Sequence, residues 1–170
     1  MDVINRRRSV REFNDLPVAS ESIQELLKAA MQAPSGGNQQ PWEFIVVEDE
    51  EVLKKMAENS PYASCVAKAP VAIVFVANND RMQIPDDMQQ DLSAACENLL
   101  LEAVNQDLGA AWISVYPFEE RYRHLQKVLD CPRNIIPFNI VAVGHPLDED
   151  ANSFVDRFDE KRIHFNRYHD

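Results

Sequence analysis

The alternation of hydrophobic and polar residues along the chain predicts five helices. They cover residues 2–7, 20–33, 49–59, 87–108 and 118–129. The second helix has one apolar face, with Ser20 as its expected N-cap and Pro34 as the residue that stops it. The fourth helix carries a wider apolar stripe, and Gly109 is its expected C′ residue. Such a stripe is typical of a helix in the core or at a subunit interface.

Four segments rich in β-branched and apolar residues are predicted to be strands. They cover residues 42–48, 70–77, 110–115 and 139–144. Residues 70–77 are almost uninterruptedly apolar, which indicates a strand buried on both faces. Because helices alternate with these strands, the expected class is α/β or α+β, with a central mixed sheet flanked by helices. A length of 170 residues indicates a single domain over residues 1–170.

The pattern changes in the last part of the chain, residues 148–170, which lacks a long periodic run. Phe154, Phe158, Phe165 and Tyr168 are spaced there among charged residues. A disordered tail is usually poorer in aromatic residues. We therefore expect an ordered C-terminal arm that lays its aromatic side chains on another surface, such as a neighbouring subunit.

The charge balance and the hydropathy narrow the possible partners. The chain has 17 Lys and Arg against 28 Asp and Glu, a formal net charge of −11. This acidity argues against nucleic acid, because binding a phosphate backbone needs a broad basic face. The longest apolar run, residues 69–77, is far too short to span a bilayer, and the N-terminus has no apolar signal core. The expected location is cytoplasmic, away from membranes.

The common catalytic and metal-binding patterns are missing from the sequence. The four glycines, at positions 36, 37, 109 and 144, cannot form a dinucleotide-binding or P-loop fingerprint. Cys65, Cys96 and Cys131 lack metal or redox spacing and are expected to be reduced core thiols. The histidines and acidic clusters offer no ligand set, and no serine stands in a nucleophile elbow. An enzyme with this sequence would have to borrow its reactive group from a cofactor, without a metal.

Arginine is concentrated at the N-terminus of an otherwise acidic chain. Four of the eleven arginines, Arg6, Arg7, Arg8 and Arg11, lie within the first eleven residues. Packing like charges together is unfavourable unless a multivalent anion neutralises them, and guanidinium groups bind phosphate in bidentate fashion. Ser9 would add a hydroxyl donor. The alternative is a basic patch that is simply solvated.

A second polar centre lies in the loop of residues 34–41, which contains two adjacent glycines. Glycine permits positive φ angles and close approach of the backbone to a ligand. The amide side chains of this loop suit hydrogen bonding to the edge of a heterocycle. The alternative is an ordinary connection between a helix and a strand.

Together the two segments resemble the nitroreductase family of FMN-dependent NAD(P)H oxidoreductases. The first match is RRSVR at residues 7–11, and the second, more specific match is APSGGNQQPW at residues 33–42. Further segments follow in the family's order at residues 68–70, 91–101, 109–117, 135–137, 143–146 and 157–158. The resemblance therefore covers essentially the whole chain.

The resemblance implies an α+β fold that forms an intertwined homodimer, with two FMN sites at the subunit interface. Arg7, Arg8, Ser9 and Arg157 would bind the phosphate and ribityl chain, and Arg11 would approach the pyrimidine edge of the flavin. The flavin ring would be lined, partly from the second subunit, by Pro34, Ser35, Gly36, Asn38 and Gln40. The backbone at Ser114 and Val115 would face flavin N5. The arm of residues 148–170 would cross to the partner subunit.

The implied activity is transfer of hydride from NADH or NADPH through flavin N5 to a nitroaromatic, quinone or similar conjugated acceptor. In this ping-pong reaction no side chain acts as a catalytic group, because the cofactor carries the chemistry. Two alternatives stay open: a specialised enzyme of the same fold, such as a dehalogenase, or a non-catalytic flavin-binding protein. Residues 78–88 are short and polar compared with many family members, which implies an open pocket. Val155 replaces a basic residue found in some members, so phosphate binding would depend more on Arg7 and Arg8.

Overall fold

A four-stranded antiparallel sheet lies at the centre of the protein, which is described here by a computed structural model covering residues 2–168. The strands are β1 (Trp42–Val47), β2 (Val71–Asn78), β3 (Gly109–Ser114) and β4 (Ile135–Gly144). The helices are α1 (Asp2–Arg6), α2 (Ser20–Met31), α3 (Glu50–Ala57), α4 (Met88–Asn105) and α5 (Glu119–Val128). The α+β class and the flanking helices are as the sequence predicts.

The sheet is antiparallel rather than mixed, which corrects one expectation. The strand order is β1-β2-β4-β3, and each neighbouring pair runs antiparallel. Helix α4 does connect two strands that run in the same direction, β2 and β3, but β4 lies between them. Within residues 2–168 the one parallel pairing is an isolated bridge between Ser9 and Ala110.

Strand β2 is buried on both faces, as its apolar run predicts. Val71, Ile73 and Phe75 pack into a cluster that includes Leu26 of α2 and Leu99 of α4. The alternate residues Ala72, Val74 and Val76 pack on the opposite face, in a cluster that includes Met56 of α3 and Leu125 of α5. The protein therefore has three layers, and α4 is a core helix.

Two predicted helix caps are wrong. Ala19, not Ser20, is the N-cap of α2; Ser20 is already helical, and no side chain caps the helix. Helix α4 ends before Gln106, and Asp107 takes the positive φ angle of 55° that was expected of Gly109. Gly109 instead begins β3, where a Cβ would lie 2.6 Å from Val10 Cγ1. Its lack of a side chain allows the N-terminal segment to pack closely against the sheet.

The part of the C-terminal arm that the structure describes, residues 148–168, contains no α-helix or β-strand. Its four aromatic side chains are 63–77% exposed in the single chain. Asn152 anchors the arm's beginning by donating from Nδ2 to the Leu108 carbonyl oxygen, 3.1 Å away. That the arm covers a partner subunit stays a prediction, and its last two residues, 169 and 170, lie outside the described residues.

The cysteines and the helix lengths complete the picture. Cys65 and Cys96 are buried, Cys131 is half-buried, and all three are free thiols. Burial raises the pKa of Cys96 above its ordinary value. Within residues 2–168, every helix is too short or too polar to cross a membrane.

Candidate functional site

Three arginines from the two ends of the chain converge on one cavity of about 470 Å³, called here the cationic cavity. Arg7 and Arg8 enter it directly after α1, and Arg157 enters from the C-terminal arm. Glu97 of α4 lines the same cavity, as do the aromatic rings of Phe154 and Phe158. The fold thus brings together residues that are about 150 positions apart in the sequence.

Arg8 brings two buried donors without a partner to this cavity. Its Nη1 donates to the Arg7 carbonyl oxygen, but Nε and Nη2 are buried and have no hydrogen-bond partner among residues 2–168. Desolvation, followed by the positive charges of Arg157 and Arg7, lowers the pKa of Arg8 below its ordinary value. Buried donors without partners are unfavourable, and an anion with several acceptor oxygens would satisfy them.

Among residues 2–168, Arg7 is the one cation of the three that has an anionic partner. Its Nε lies 3.2 Å from Glu97 Oε1, and both side chains are partly exposed. Burial raises the pKa of Glu97, while the charge of Arg7 acts in the opposite direction. Glu97 therefore occupies part of the arginine's hydrogen-bonding capacity.

A second cavity, of about 440 Å³, brings Arg11 to the end of β3 beside Ser114. The N-terminal segment reaches this position by pairing with β3: Ser9 forms a bridge with Ala110, and Val10 N donates to Ala110 O at 2.9 Å. Arg121 lies in the same cavity and donates from Nη1 to the Ser114 carbonyl oxygen, 3.1 Å away.

The two cations of this second cavity lack ion-pair partners among the described residues, and the predicted site residue Val115 is not among the residues that line the cavity. Neither Arg11 nor Arg121 forms an ion pair with a carboxylate among residues 2–168. Val115 is buried, and its N–H donates to the Phe138 carbonyl oxygen at 3.3 Å. The cavity therefore offers two positive charges without an ion-pair partner, whereas Val115 lies outside its lining and its amide already has a partner.

The glycine loop, defined here as residues 35–40, has an unusual but well-supported backbone. Gly37, Asn38 and Gln40 have φ angles of 54°, 56° and 45°, in the left-handed region. Within the loop, Gln40 N donates to Ser35 Oγ at 3.0 Å, and Gln40 Nε2 donates to Asn38 Oδ1 at 2.8 Å. Buried Asp91 accepts a hydrogen bond from Gly36 N at 2.8 Å.

The predicted site residues thus fall into three groups, and Ser9 and Val115 lie outside all three. Arg7, Arg8 and Arg157 share the cationic cavity, and Arg11 and Ser114 share the second one. Ser9 pairs with β3 between them. Pro34 and the glycine loop line neither cavity in the single chain. Whether a second subunit supplies that loop to the cavities stays a prediction.

Sequence reasoning did not identify four polar residues that contact the predicted site residues: Gln39, Asp91, Glu97 and Arg121. Asp91 had a detectable signal, because it stands one helical turn before Ala95 on the apolar stripe of α4. A carboxylate at such a position needs buried partners. The other three had no comparable signal, since their roles depend on contacts between distant segments.

Comparison with known proteins identifies the family. The model of the nitroreductase family matches residues 4–61 and 60–145. The match covers most of the chain and includes both the arginine cluster and the glycine loop. The chain belongs to the nitroreductase family.

Individual relatives agree with this assignment. A protein of Archaeoglobus fulgidus, provisionally named NADH dehydrogenase/NAD(P)H nitroreductase, is 46% identical over 96% of this chain and 95% of its own. A crystal structure from Clostridium acetobutylicum, provisionally named an NADH oxidase, has a TM-score of 0.94 and 48% identity, covering 98% of this chain and 99% of that one. An FMN-dependent nitroreductase from Clostridium difficile R20291 has a TM-score of 0.89 and 28% identity, with 98% and 99% coverage.

Proposed function

We propose that the protein is an FMN-dependent NAD(P)H oxidoreductase. It would transfer hydride from NADH or NADPH through flavin N5 to a nitroaromatic, quinone or similar conjugated acceptor, in a ping-pong reaction. The observation that carries the proposal is Arg8, whose buried Nε and Nη2 have no partner among residues 2–168 and which shares its cavity with two further arginines. The names of the relatives in A. fulgidus and C. difficile support the electron donor and the cofactor.

The residues of the cationic cavity fit a phosphate group. A phosphate monoester presents three strong acceptor oxygens and close to two negative charges at neutral pH. Arg7, Arg8 and Arg157 would bind these oxygens, with the Ser9 hydroxyl as a further donor. The interaction would neutralise the mutual repulsion of the arginines and satisfy the buried donors of Arg8.

The second cavity would hold the flavin ring by its electron-accepting edge. FMN, when bound, supplies the two-electron chemistry. Arg11 would place a positive charge at the pyrimidine edge, where negative charge increases on reduction, and would contribute electrostatic stabilisation. The backbone at Ser114 and Val115 would border the N5 side. The chain itself would contribute binding, orientation and electrostatics rather than a proton-transfer group.

A homodimer would complete the site. The glycine loop lines neither cavity of its own chain, and the arm of residues 148–170 carries exposed aromatic side chains. Pro34, Ser35, Gly36, Asn38 and Gln40 would therefore line the flavin ring of the partner subunit, and the arm would cross the interface. This arrangement gives both unpartnered features a binding surface.

The visible absorption spectrum of the purified protein, with identification of any cofactor released on denaturation, tests the cofactor assignment. We expect bound FMN and steady oxidation of NADH or NADPH when a quinone is added. A colourless protein that does not take up added FMN would contradict the proposal. Bound FMN without turnover from either donor would favour a non-catalytic flavin-binding protein instead.

A further inference from the structure

A buried carboxylate outside both cavities ties the glycine loop to the core. Asp91, in the first turn of α4, is 3% exposed. Its Oδ1 accepts from Gly36 N at 2.8 Å, and its Oδ2 accepts from Gln39 Nε2 at 2.6 Å. Each carboxylate oxygen thus binds a different part of the loop, one through the backbone and one through a side chain.

Gln39 extends this connection to a third segment. Its Oε1 accepts from the backbone N–H groups of Gln83 and Ile84, both at 2.9 Å, and its Nε2 also donates to Ile84 O at 3.1 Å. The side chain is buried, and its amide oxygen and nitrogen are both used. The glycine loop, residues 83–84 and α4 are therefore joined by one hydrogen-bond network.

The network acts on a loop whose conformation is intrinsically unfavourable. Asn38 and Gln40 both have positive φ angles, which cost free energy for residues with a Cβ. Such a backbone persists only when surrounding contacts determine it. Because Asp91 and Gln39 face inward, the side chains of Asn38 and Gln40 are left on the exposed surface of the loop.

We propose that Asp91 is a positioning residue for the flavin. Its carboxylate holds the glycine loop in the shape that presents Ser35, Asn38 and Gln40 to the flavin ring of the partner subunit. Asp91 thereby sets the affinity for FMN and the surroundings of the ring without touching the cofactor. This inference rests on the proposed function, since it assumes that the loop contacts FMN.

A carboxylate is required at position 91 because both of its partners are donors. Asparagine has the same shape, but it offers one acceptor oxygen and one NH₂ group. The oxygen can still accept from Gly36 N, whereas the NH₂ group would face the donor Nε2 of Gln39. Asp91→Asn therefore removes the donor–acceptor match and keeps the packing.

The central experiment compares FMN binding by wild type and Asp91→Asn through fluorescence titration of the apo-proteins. We expect the Kd for FMN to rise about tenfold, as for loss of a hydrogen bond to a charged group. We also expect an altered visible circular dichroism spectrum of the bound flavin. Asp87→Asn is the matched control, because Asp87 lies one turn earlier and its side chain takes no part in the network; its binding should equal that of wild type.

A double variant separates positioning from general stability. Gln39→Glu combined with Asp91→Asn exchanges the two groups, so that the residue 91 amide can donate to a residue 39 carboxylate. The carboxylate can still accept from the backbone of residues 83–84, but the bond to Ile84 O is lost. We expect the exchange to recover most of the FMN affinity and the wild-type flavin spectrum. The melting temperatures of all the apo-proteins are measured for comparison.

A third variant addresses the same loop without altering Asp91. A Cβ added at Gly36 would lie 2.2 Å from Asp87 Oδ2, so in Gly36→Ala either the loop or the Asp87 carboxylate must shift. We expect weaker FMN binding, and partial recovery when Asp87→Ala removes the obstructing carboxylate. This pair tests whether the shape of the loop sets FMN binding, which is the premise of the proposal, even where Asp91→Asn does not accumulate as folded protein.

The outcomes distinguish the two proposals. If the wild type binds FMN and Asp91→Asn binds it with the same affinity and the same flavin spectrum, only the positioning role is overturned. The positioning role would also be overturned if the exchanged pair recovered the melting temperature but not the FMN affinity, since Asp91 would then act on stability only. A wild-type protein that does not bind FMN would overturn the proposed function, and the role of Asp91 with it.

Discussion

The cationic cavity and the glycine loop differ in how their polar groups are satisfied. In the cavity, two buried donors of Arg8 have no partner among residues 2–168, and three positive charges stand close together. In the loop, Asp91 and Gln39 use their oxygens and amide nitrogen in hydrogen bonds of 2.6–3.1 Å. A ligand that satisfies an unpartnered polar group lowers the free energy of the complex, whereas a network that is already satisfied maintains the conformation of its loop. We therefore expect the cavity to contribute more of the binding free energy for FMN than the loop, whose network maintains a fixed geometry.

The largest expected effect comes from the cavity. Replacing Arg7 and Arg8 together with alanine should raise the Kd for FMN by at least about a hundredfold, because two charge-assisted contacts are lost. The melting temperature of the apo-protein should change little, because loss of the partly exposed Arg7–Glu97 ion pair is offset by removal of two like charges and of the two unpartnered donors of Arg8. Fluorescence titration and differential scanning calorimetry measure the two quantities.

Arg6→Ala provides the control for this double variant. Arg6 lies next to the pair in sequence but forms ion pairs with Asp107 and Asp2, at 2.9 and 3.5 Å. Its removal should leave FMN binding unchanged. An unchanged affinity in the double variant would remove Arg7 and Arg8 from the site. A large drop in apo-protein melting temperature would mean that the cavity is structural, like the loop.

The C-terminal arm should show an intermediate effect, divided between affinity and assembly. A chain that ends at Asp156 lacks both Arg157 and the aromatic residues that follow it. We expect about tenfold weaker FMN binding and a shift from dimer to monomer in sedimentation velocity. Arg157→Ala alone should weaken binding and keep the dimer. A shortened protein that stays dimeric and yellow would contradict the crossing arm.

The sequence predicted best those features that depend on local periodicity. The apolar stripe of α4 and the two-sided burial of β2 both follow from the spacing of hydrophobic residues. The prediction of a mixed sheet was wrong because β4 lies between β2 and β3, and no local sequence pattern indicates the order of the strands. Gly109 was misplaced because its small size serves a contact with Val10, about 100 residues away.

The candidate site likewise contains features that local sequence patterns reveal and features that depend on long-range contacts. The arginine cluster and the glycine loop were visible as unusual composition within short segments. Glu97 could not be found, because its importance comes from a 3.2 Å contact with Arg7 across the fold. Asp91 was in principle detectable as a charge on an apolar stripe, but its partners Gly36 and Gln39 were not. Long-range hydrogen bonds are thus the part of the site that sequence patterns omit.

The smallest predicted effect concerns Glu97, which within the described part of the chain is the one acidic group paired with an arginine of the cavity. Glu97 Oε1 and an FMN phosphate would compete for Arg7, so Glu97→Gln should lower the Kd for FMN by about two- to fivefold, in line with a partly exposed ion pair. Glu102→Gln, on the same helix, is the control; Glu102 accepts from Gln106 and Asn105 and does not line the cavity. Its binding should match that of wild type.

The competition should also depend on pH. Burial raises the pKa of Glu97, with Arg7 opposing this, so protonation of Glu97 begins at a higher pH than for an exposed glutamate. As pH falls towards that pKa, wild-type Glu97 loses its charge and stops competing, and the affinities of wild type and Glu97→Gln should converge. The ratio of the two Kd values between about pH 5 and 8 measures this, because protonation of the phosphate affects both proteins equally. If Glu97→Gln instead bound FMN more weakly at every pH, Glu97 would orient Arg7 rather than compete for it. The cavity would then depend on a hydrogen-bonded carboxylate, as the loop depends on Asp91.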